Sequence, residues 1–158
     1  MAFENASLAA KRVHRNARPR FSERAVFCGI EMARQFGAKV TGIHAAPEFH
    51  VLSYRVAELS EYREQFAADV LAHAQRYLDF VRATAAEARV RCETLMESSD
   101  HPHDAICQAA TRLQCDLIVM ASHGRRGLAG LLLGSETQRV LAHAEVPVLV
   151  WRASGEER

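Results

Sequence analysis

The residues best suited to chemistry lie between positions 121 and 138. Gly124, Gly127, Gly130 and Gly134, half of the eight glycines, fall within eleven residues. Glycine lets backbone N–H groups close on a bulky anion and reach positive φ. Gly134-Ser135 then opens a predicted helix, and Ser135-x-x-Gln138 has the form of a capping box. A helix N-terminus offers free N–H donors and a partial positive charge, which suits phosphate. Arg125 and Arg126 add candidate charge-assisted bonds to phosphate oxygens. The plainer alternative is a surface loop ahead of a well-capped helix. Two common phosphate motifs are absent. A Walker A loop needs Gly-Lys-Ser/Thr, and the only lysines are Lys11 and Lys39. A dinucleotide fingerprint needs G-x-G-x-x-G, which does not occur here.

Other groupings say less. His101, His103 and His123 fall near predicted strand ends, and His-x-His is a possible metal pair. No cysteine or carboxylate arrangement completes a metal site, so they are expected to be loop and capping histidines. Ser122-His123 suggests a nucleophile and a base, but adjacent side chains rarely point at one another. No orienting acid is evident, so no catalytic residue is assigned. Cysteines 28, 92, 107 and 115 are separated by 64, 15 and 8 positions with no CxxC pair. They read as reduced core thiols of a cytosolic protein.

The elements that must position the glycine loop alternate along the chain. Phe21–Phe36 reads as a helix, with Ser22 as N-cap, Ala25, Gly29, Met32, Ala33 and Phe36 inward, and Gly37 at its end. Lys39–Ala46 is apolar and β-branched and stops at Pro47, as a strand does. Glu48–Ala57 is a predicted loop, and Glu58–Ala88 is a long helix with a stripe from Leu59 to Ala85. Arg89–Met96 alternates like a strand, and Pro102 opens a helix that runs to Leu113. Met32, Met96 and Met120 are expected on inward faces.

Asp116–Ala121 is a continuous apolar run, as in a parallel strand covered on both faces. After the loop Ser122–Gly134 come a helix, Ser135–Ala144, and a last strand, Val146–Trp151. Pro147 cannot donate to a ladder there, which favours a sheet edge or a dimer seam. The alternation predicts a single α/β domain, a mainly parallel sheet with helices on both faces. Such sheets bind ligands beyond the C-terminal ends of their strands, where this loop emerges.

Composition sets outer bounds. A chain of 158 residues is one domain by length and buries roughly 70% of its unfolded surface. With 49% hydrophobic and 25% charged residues it is globular rather than disordered. No apolar run is long enough to span a bilayer, and no secretion-type h-region follows the N-terminus. A net charge of +1 argues against a dedicated nucleic-acid binder. The charge is uneven, however: residues 1–24 carry six basic and two acidic side chains. That segment resembles a solvated tail, a transit peptide or a phosphate-binding arm.

Residues 119–151, VMASHGRRGLAGLLLGSETQRVLAHAEVPVLVW, resemble the C-terminal signature of universal stress proteins. The resemblance extends back through 22–48 and 100–106. It implies a five-stranded parallel α/β sheet over 21–152 and a homodimer formed through the last strand, Val146–Trp151. It also implies a cytoplasmic role in stress response, with protein partners left unnamed. The family's nucleotide-binding members share G-x-x-G, nine residues, then G-S or G-T. Here that pattern falls on Ala121, Ser122, His123 and Gly124, then 125–133, then Gly134 and Ser135. By this resemblance the candidate nucleotide contacts are Ala45, Ala121, Ser122, His123, Gly124, Arg125, Gly134, Ser135 and Glu136. ATP is the expected ligand, with Mg²⁺ as its companion. Ala121 replaces the motif's first glycine, which is tolerable at negative φ.

The N-terminus departs from the family pattern. Members begin with a hydrophobic strand ending in an aspartate that contacts the nucleotide. Residues 1–20 show neither a strand period nor such an aspartate; Glu4 is too distant and Glu23 lies in the first helix. Residues 1–20 are thus expected to be an atypical, poorly ordered basic segment, and 153–158 a polar tail. Either a shifted reading frame has been joined to a normal family body, or the first strand has been replaced. Three functions stay open: a nucleotide-binding dimeric regulator, a nucleotide-free dimeric interaction module, and, last, a slow ATP hydrolase.

Overall fold

The apolar run 117–121 explains the architecture. The computed structural model describes residues 5–9, 21–46, 59–122 and 133–152. Along the chain these form β1 (Asn5–Ala9), α1 (Phe21–Phe36), β2 (Lys39–Ala46), α2 (Leu59–Glu87) and β3 (Cys92–Ser98). They continue as α3 (Pro102–Arg112), β4 (Leu117–Ala121), α4 (Ser135–His143) and β5 (Val148–Trp151). The sheet has 5 strands in the order β3-β2-β1-β4-β5, and every pairing is parallel.

Alternating side chains of β4 serve two cores. Leu117 and Val119 join Val26, Ile30 and Ala33 of α1, Val81 and Ala85 of α2, and Val40 of β2. Ile118 and Met120 join Ile106, Ala109 and Ala110 of α3, Val140 of α4, and Ile43 of β2. Helices α1 and α2 therefore cover one face, and α3 and α4 the other. That arrangement accounts for the uninterrupted apolar strand, since neither face meets water. The expected α/β class, parallel sheet and two-sided helical cover all hold.

The first strand is replaced, not missing. Residues 5–9 sit in the centre of the sheet, with Ala6, Ser7 and Leu8 in register with Val40, Thr41 and Gly42 of β2. The same three residues pair with Leu117, Ile118 and Val119 of β4. The sheet thus includes part of the segment expected to lie outside the domain. This strand contains one large apolar residue, Leu8, among small ones, so no hydrophobic period marks it. Its backbone pairs along both edges, a bonding that leaves no hydrophobic period in the sequence.

From Phe21 onward, strand and helix bounds follow the sequence pattern to within a few residues, with three local differences. Helix α1 already includes Phe21, so Ser22 lies inside it rather than at the N-cap. Phe36 and Met96 are 50% and 40% exposed, not inward. Val26 and Ile30 carry the α1 core instead, at 0% and 2% exposure.

Three helices end in one way. Ala38, Val90 and Cys115 donate backbone bonds to Ala33, Ala85 and Ala110, at 2.9, 2.9 and 2.8 Å. Each bond spans five positions, as in a Schellman motif, and each donor residue is buried against the core. The motif requires a left-handed residue just before the donor. Gly37 takes it at φ 65°, but Arg89 and Gln114 adopt φ 58° and 52°. For these two the conformation costs about 1–2 kcal/mol each.

Two substitutions test this packing. Gly42 of β2 leaves no room for a methyl group, since a Cβ there would lie 2.9 Å from Val81 Cγ1 and 3.3 Å from its Cβ. Val81 is held in the core and its branched side chain is stiff. Gly42→Ala should lower the free energy of unfolding by about 1–3 kcal/mol in a denaturant titration. Gln114→Gly should raise it by about 0.5–1 kcal/mol, because relief of the left-handed strain exceeds the entropy cost of glycine.

Candidate functional site

Parallel strands bring all their C-terminal ends to one edge of the sheet. The strand order reverses between β1 and β4, because β2 lies on one side of β1 and β4 on the other. Ligands of open α/β sheets bind in the crevice at such a reversal. The chain leaves β4 here through Ser122, which is buried.

Ser122 is a junction. Its N–H donates to the Trp151 carbonyl of β5 at 2.8 Å, and its carbonyl accepts the Gly134 N–H at 2.8 Å. The Thr137 hydroxyl lies 3.2 Å from the Ala121 carbonyl and 3.1 Å from that of Ser122. Helix α4 is therefore tied by its first turn to the end of β4. Of the loop residues expected at the site, His123, Gly124 and Arg125 lie outside the described residues.

The expected capping box does not form. Gly134, not Ser135, is the N-cap residue, at φ −59° and ψ 149°, and as a glycine it has no side chain with which to cap the helix. Gln138 donates its backbone N–H to the Gly134 carbonyl at 3.0 Å and its side-chain amide to the Leu133 carbonyl at 2.8 Å. The N–H groups of Ser135, Glu136 and Thr137 precede that first helical bond and point out of the helix end. A glycine at the N-cap leaves room for an anion to approach these N–H groups.

The neighbouring ends supply further groups. His44, near the end of β2, stacks on Tyr77 of α2 at 5.2 Å between ring centroids, and Tyr77 meets His73 edge-on at 4.5 Å. Ala45 is on the other face of β2 from His44 and is partly exposed. Glu23, in the first turn of α1, is fully buried. Beside it, the Arg24 guanidinium lies 5.6 Å from the centre of the Trp151 ring.

Glu136 turns away from the helix end. Its Oε2 accepts the backbone N–H of His103 at 3.1 Å and lies 3.1 Å from His103 Nδ1. Its Oε1 accepts from Arg139 at 2.9 Å. This carboxylate thus caps the first turn of α3, where His101 is the N-cap residue and makes no side-chain capping bond. The partners are 33 positions apart, so spacing carries no signal of their meeting.

All four cysteines are free thiols, Cys115 buried and the others half-buried. Burial pushes the Cys92 and Cys107 thiols up from their ordinary value, against the opposing pull of Arg82 on Cys92. Among the described residues, no three His, Cys, Asp or Glu side chains gather as metal ligands do, and no helix is long and apolar enough to cross a membrane.

Comparison with known proteins agrees with this architecture. The model of the universal stress protein family matches residues 18–152, a span that begins downstream of β1. A universal stress protein of Methanocaldococcus jannaschii is 33% identical over 122 residues, covering 77% of this chain and 69% of the relative. A Mycobacterium tuberculosis relative is 30% identical over 137 residues, of which this chain spans 84% of itself but 42% of the relative. Among solved structures, UspA from Lactobacillus plantarum superposes with a TM-score of 0.71 at 22% identity, covering 96% of this chain and 99% of that one. A universal stress protein from Archaeoglobus fulgidus in complex with dAMP gives 0.67 at 17% identity, covering 95% and 98%. Two more were solved with nucleotides: one with cAMP, at 0.67, 22% identity and 98% and 100% coverage, and one from Arabidopsis thaliana with AMP, at 0.61, 23% identity and 98% and 94% coverage. At these identities the structures establish a shared fold, while the family match spans most of the chain. The chain belongs to the universal stress protein family.

Proposed function

We propose that this chain binds an adenine nucleotide, ATP with Mg²⁺ foremost, at the C-terminal edge of the sheet. It would work in the cytoplasm as a dimeric regulator of a stress response. The observation that carries this reading is the N-terminus of α4, opened by glycine at its N-cap and tied to the end of β4 beside the reversal of strand order. Backbone N–H groups of Ser135 and Glu136 would hold phosphate oxygens, with Gly134 giving them room to approach and Ala121 and Ser122 as the floor. His123, Gly124 and Arg125 would add contacts to the nucleotide by the family pattern, and Ala45 would lie against the base. The solved relatives with dAMP, cAMP and AMP support a nucleotide of this class.

A nucleotide-free interaction module is the second reading. Two features favour it: Ala121 replaces the first motif glycine, and residues 5–9, NASLA, contain no aspartate. Under either reading, dimerisation would use β5. It pairs with β4 on one side and forms the edge of the sheet, with Leu149 36% exposed.

A thermal unfolding scan with and without Mg²⁺-ATP separates the two readings. At an ATP concentration a hundred times Kd, binding should add about 2.7 kcal/mol of stability. Gly134→Val should abolish that gain, since a branched side chain blocks approach to the helix end. A cooperative transition that ATP leaves unmoved in the unaltered chain supports the interaction module. Sedimentation velocity tests the dimer: Leu149→Glu should convert a dimer to monomer, and a monomeric unaltered chain at micromolar concentration refutes the β5 seam.

A further inference from the structure

The first turn of α1 holds a cation where a helix favours an acid. A helix N-terminus carries partial positive charge, so a basic side chain there works against the dipole. Glu23 obeys that rule and is fully buried, whereas Arg24 beside it does not. Arg24 is half-buried, and its guanidinium lies 5.6 Å from the centre of the Trp151 ring. A cation–π contact steadies the group without being a hydrogen bond. The guanidinium carries five N–H donors in a planar fork that matches phosphate oxygens.

The fold brings this cation to the proposed site. Trp151 ends β5 in register with Ala121, the last residue of β4. The Trp151 carbonyl accepts the Ser122 N–H, and the Ser122 carbonyl accepts the Gly134 N–H, each at 2.8 Å. Leu117 and Val119 of β4 face α1, so alternation puts Ala121 and its register partner Trp151 on that same face. Helix α4 packs on the other face, through Val140. The edge proposed for the nucleotide is therefore flanked by Arg24 on one side of the sheet. The Ser135 and Glu136 N–H groups flank it on the other.

The sheet stands between these two sources of positive charge. A single phosphate group engages one of them, whereas a chain of phosphates can span both. We infer that Arg24 is a specificity residue of this site: it takes an oxygen of a phosphate beyond the one held by α4, and so selects nucleoside polyphosphates over monophosphates. The inference rests on the proposed nucleotide site. The bound anion offsets the unfavourable charge in the first turn of α1, and Trp151 holds the side chain in place before the ligand arrives.

The test is the Kd of ATP and of AMP by calorimetry, both with Mg²⁺ present, for the unaltered chain, Arg24→Gln and Arg24→Lys. Arg24→Gln should weaken ATP about ten- to a hundredfold, the scale of one charge-assisted hydrogen bond, and leave AMP within about twofold. Arg24→Lys keeps the charge without the fork and should fall between. Trp151 is the only tryptophan of the chain, so its fluorescence reports on the contact. Saturating Mg²⁺-ATP should shift its emission in the unaltered chain, and AMP should not. Should Arg24→Gln fail to unfold cooperatively, Arg24→Lys and this emission decide. Three results overturn the inference and leave nucleotide binding standing: an ATP affinity that Arg24→Gln leaves unchanged, equal losses for ATP and AMP as a purely structural role gives, or equal emission shifts with the two ligands. Absence of binding of either nucleotide by the unaltered chain overturns the nucleotide reading and this inference with it.

Discussion

Burial of β4 on both faces is the constraint that organises this molecule. Leu117 and Val119 belong to one core, and Ile118 and Met120 to the other. A strand with no solvent face must be covered by helices on both sides, and parallel strands require crossovers long enough to supply them. The same burial fixes where β4 can end. Ala121 is partly exposed and Ser122 turns its backbone to Trp151 and Gly134, so the loop must start at the sheet edge where ligands of this architecture bind.

The centre of the sheet works differently from its flank. β4 holds a continuous run of large apolar residues, 117–120, whereas β1 has one, Leu8, among four small or polar residues. Without β1, the sheet would divide into two two-stranded pieces, β3-β2 and β4-β5. Backbone pairing to both neighbours is therefore what this strand supplies. A family matched from residue 18 onward has here been completed by a segment outside that match.

At the proposed site, electrostatics is set by two helix ends rather than one. The end of α4 opens with a glycine, while Glu136 from α4 closes the end of α3. A carboxylate is favourable near a helix N-terminus. By serving the neighbouring helix, Glu136 keeps that benefit without occupying the place a phosphate would take. Its two oxygens, divided between His103 and Arg139, carry charge compensation that a lone glutamate lacks.

Periodicity and punctuation made most of the elements legible before any coordinates. The apolar run 117–121, the proline at 102 and the glycine at 37 mark strand, helix start and helix end through forces that act within a few residues. The glycine cluster and the Gly134-Ser135 step likewise indicated the edge where a ligand would sit. Three things escaped such reading, each for a physical reason. β1 is held by backbone bonds to strands far along the chain, and backbone bonding leaves no side-chain pattern. Arg89 and Gln114 take left-handed turns that local preference assigns to glycine, because a buried residue after each anchors the turn to the core. The role of Glu136 depends on His103, brought beside it only when α3 and α4 pack on the same face of the sheet. Contacts of that range belong to the folded chain, since no local rule in either segment specifies the other.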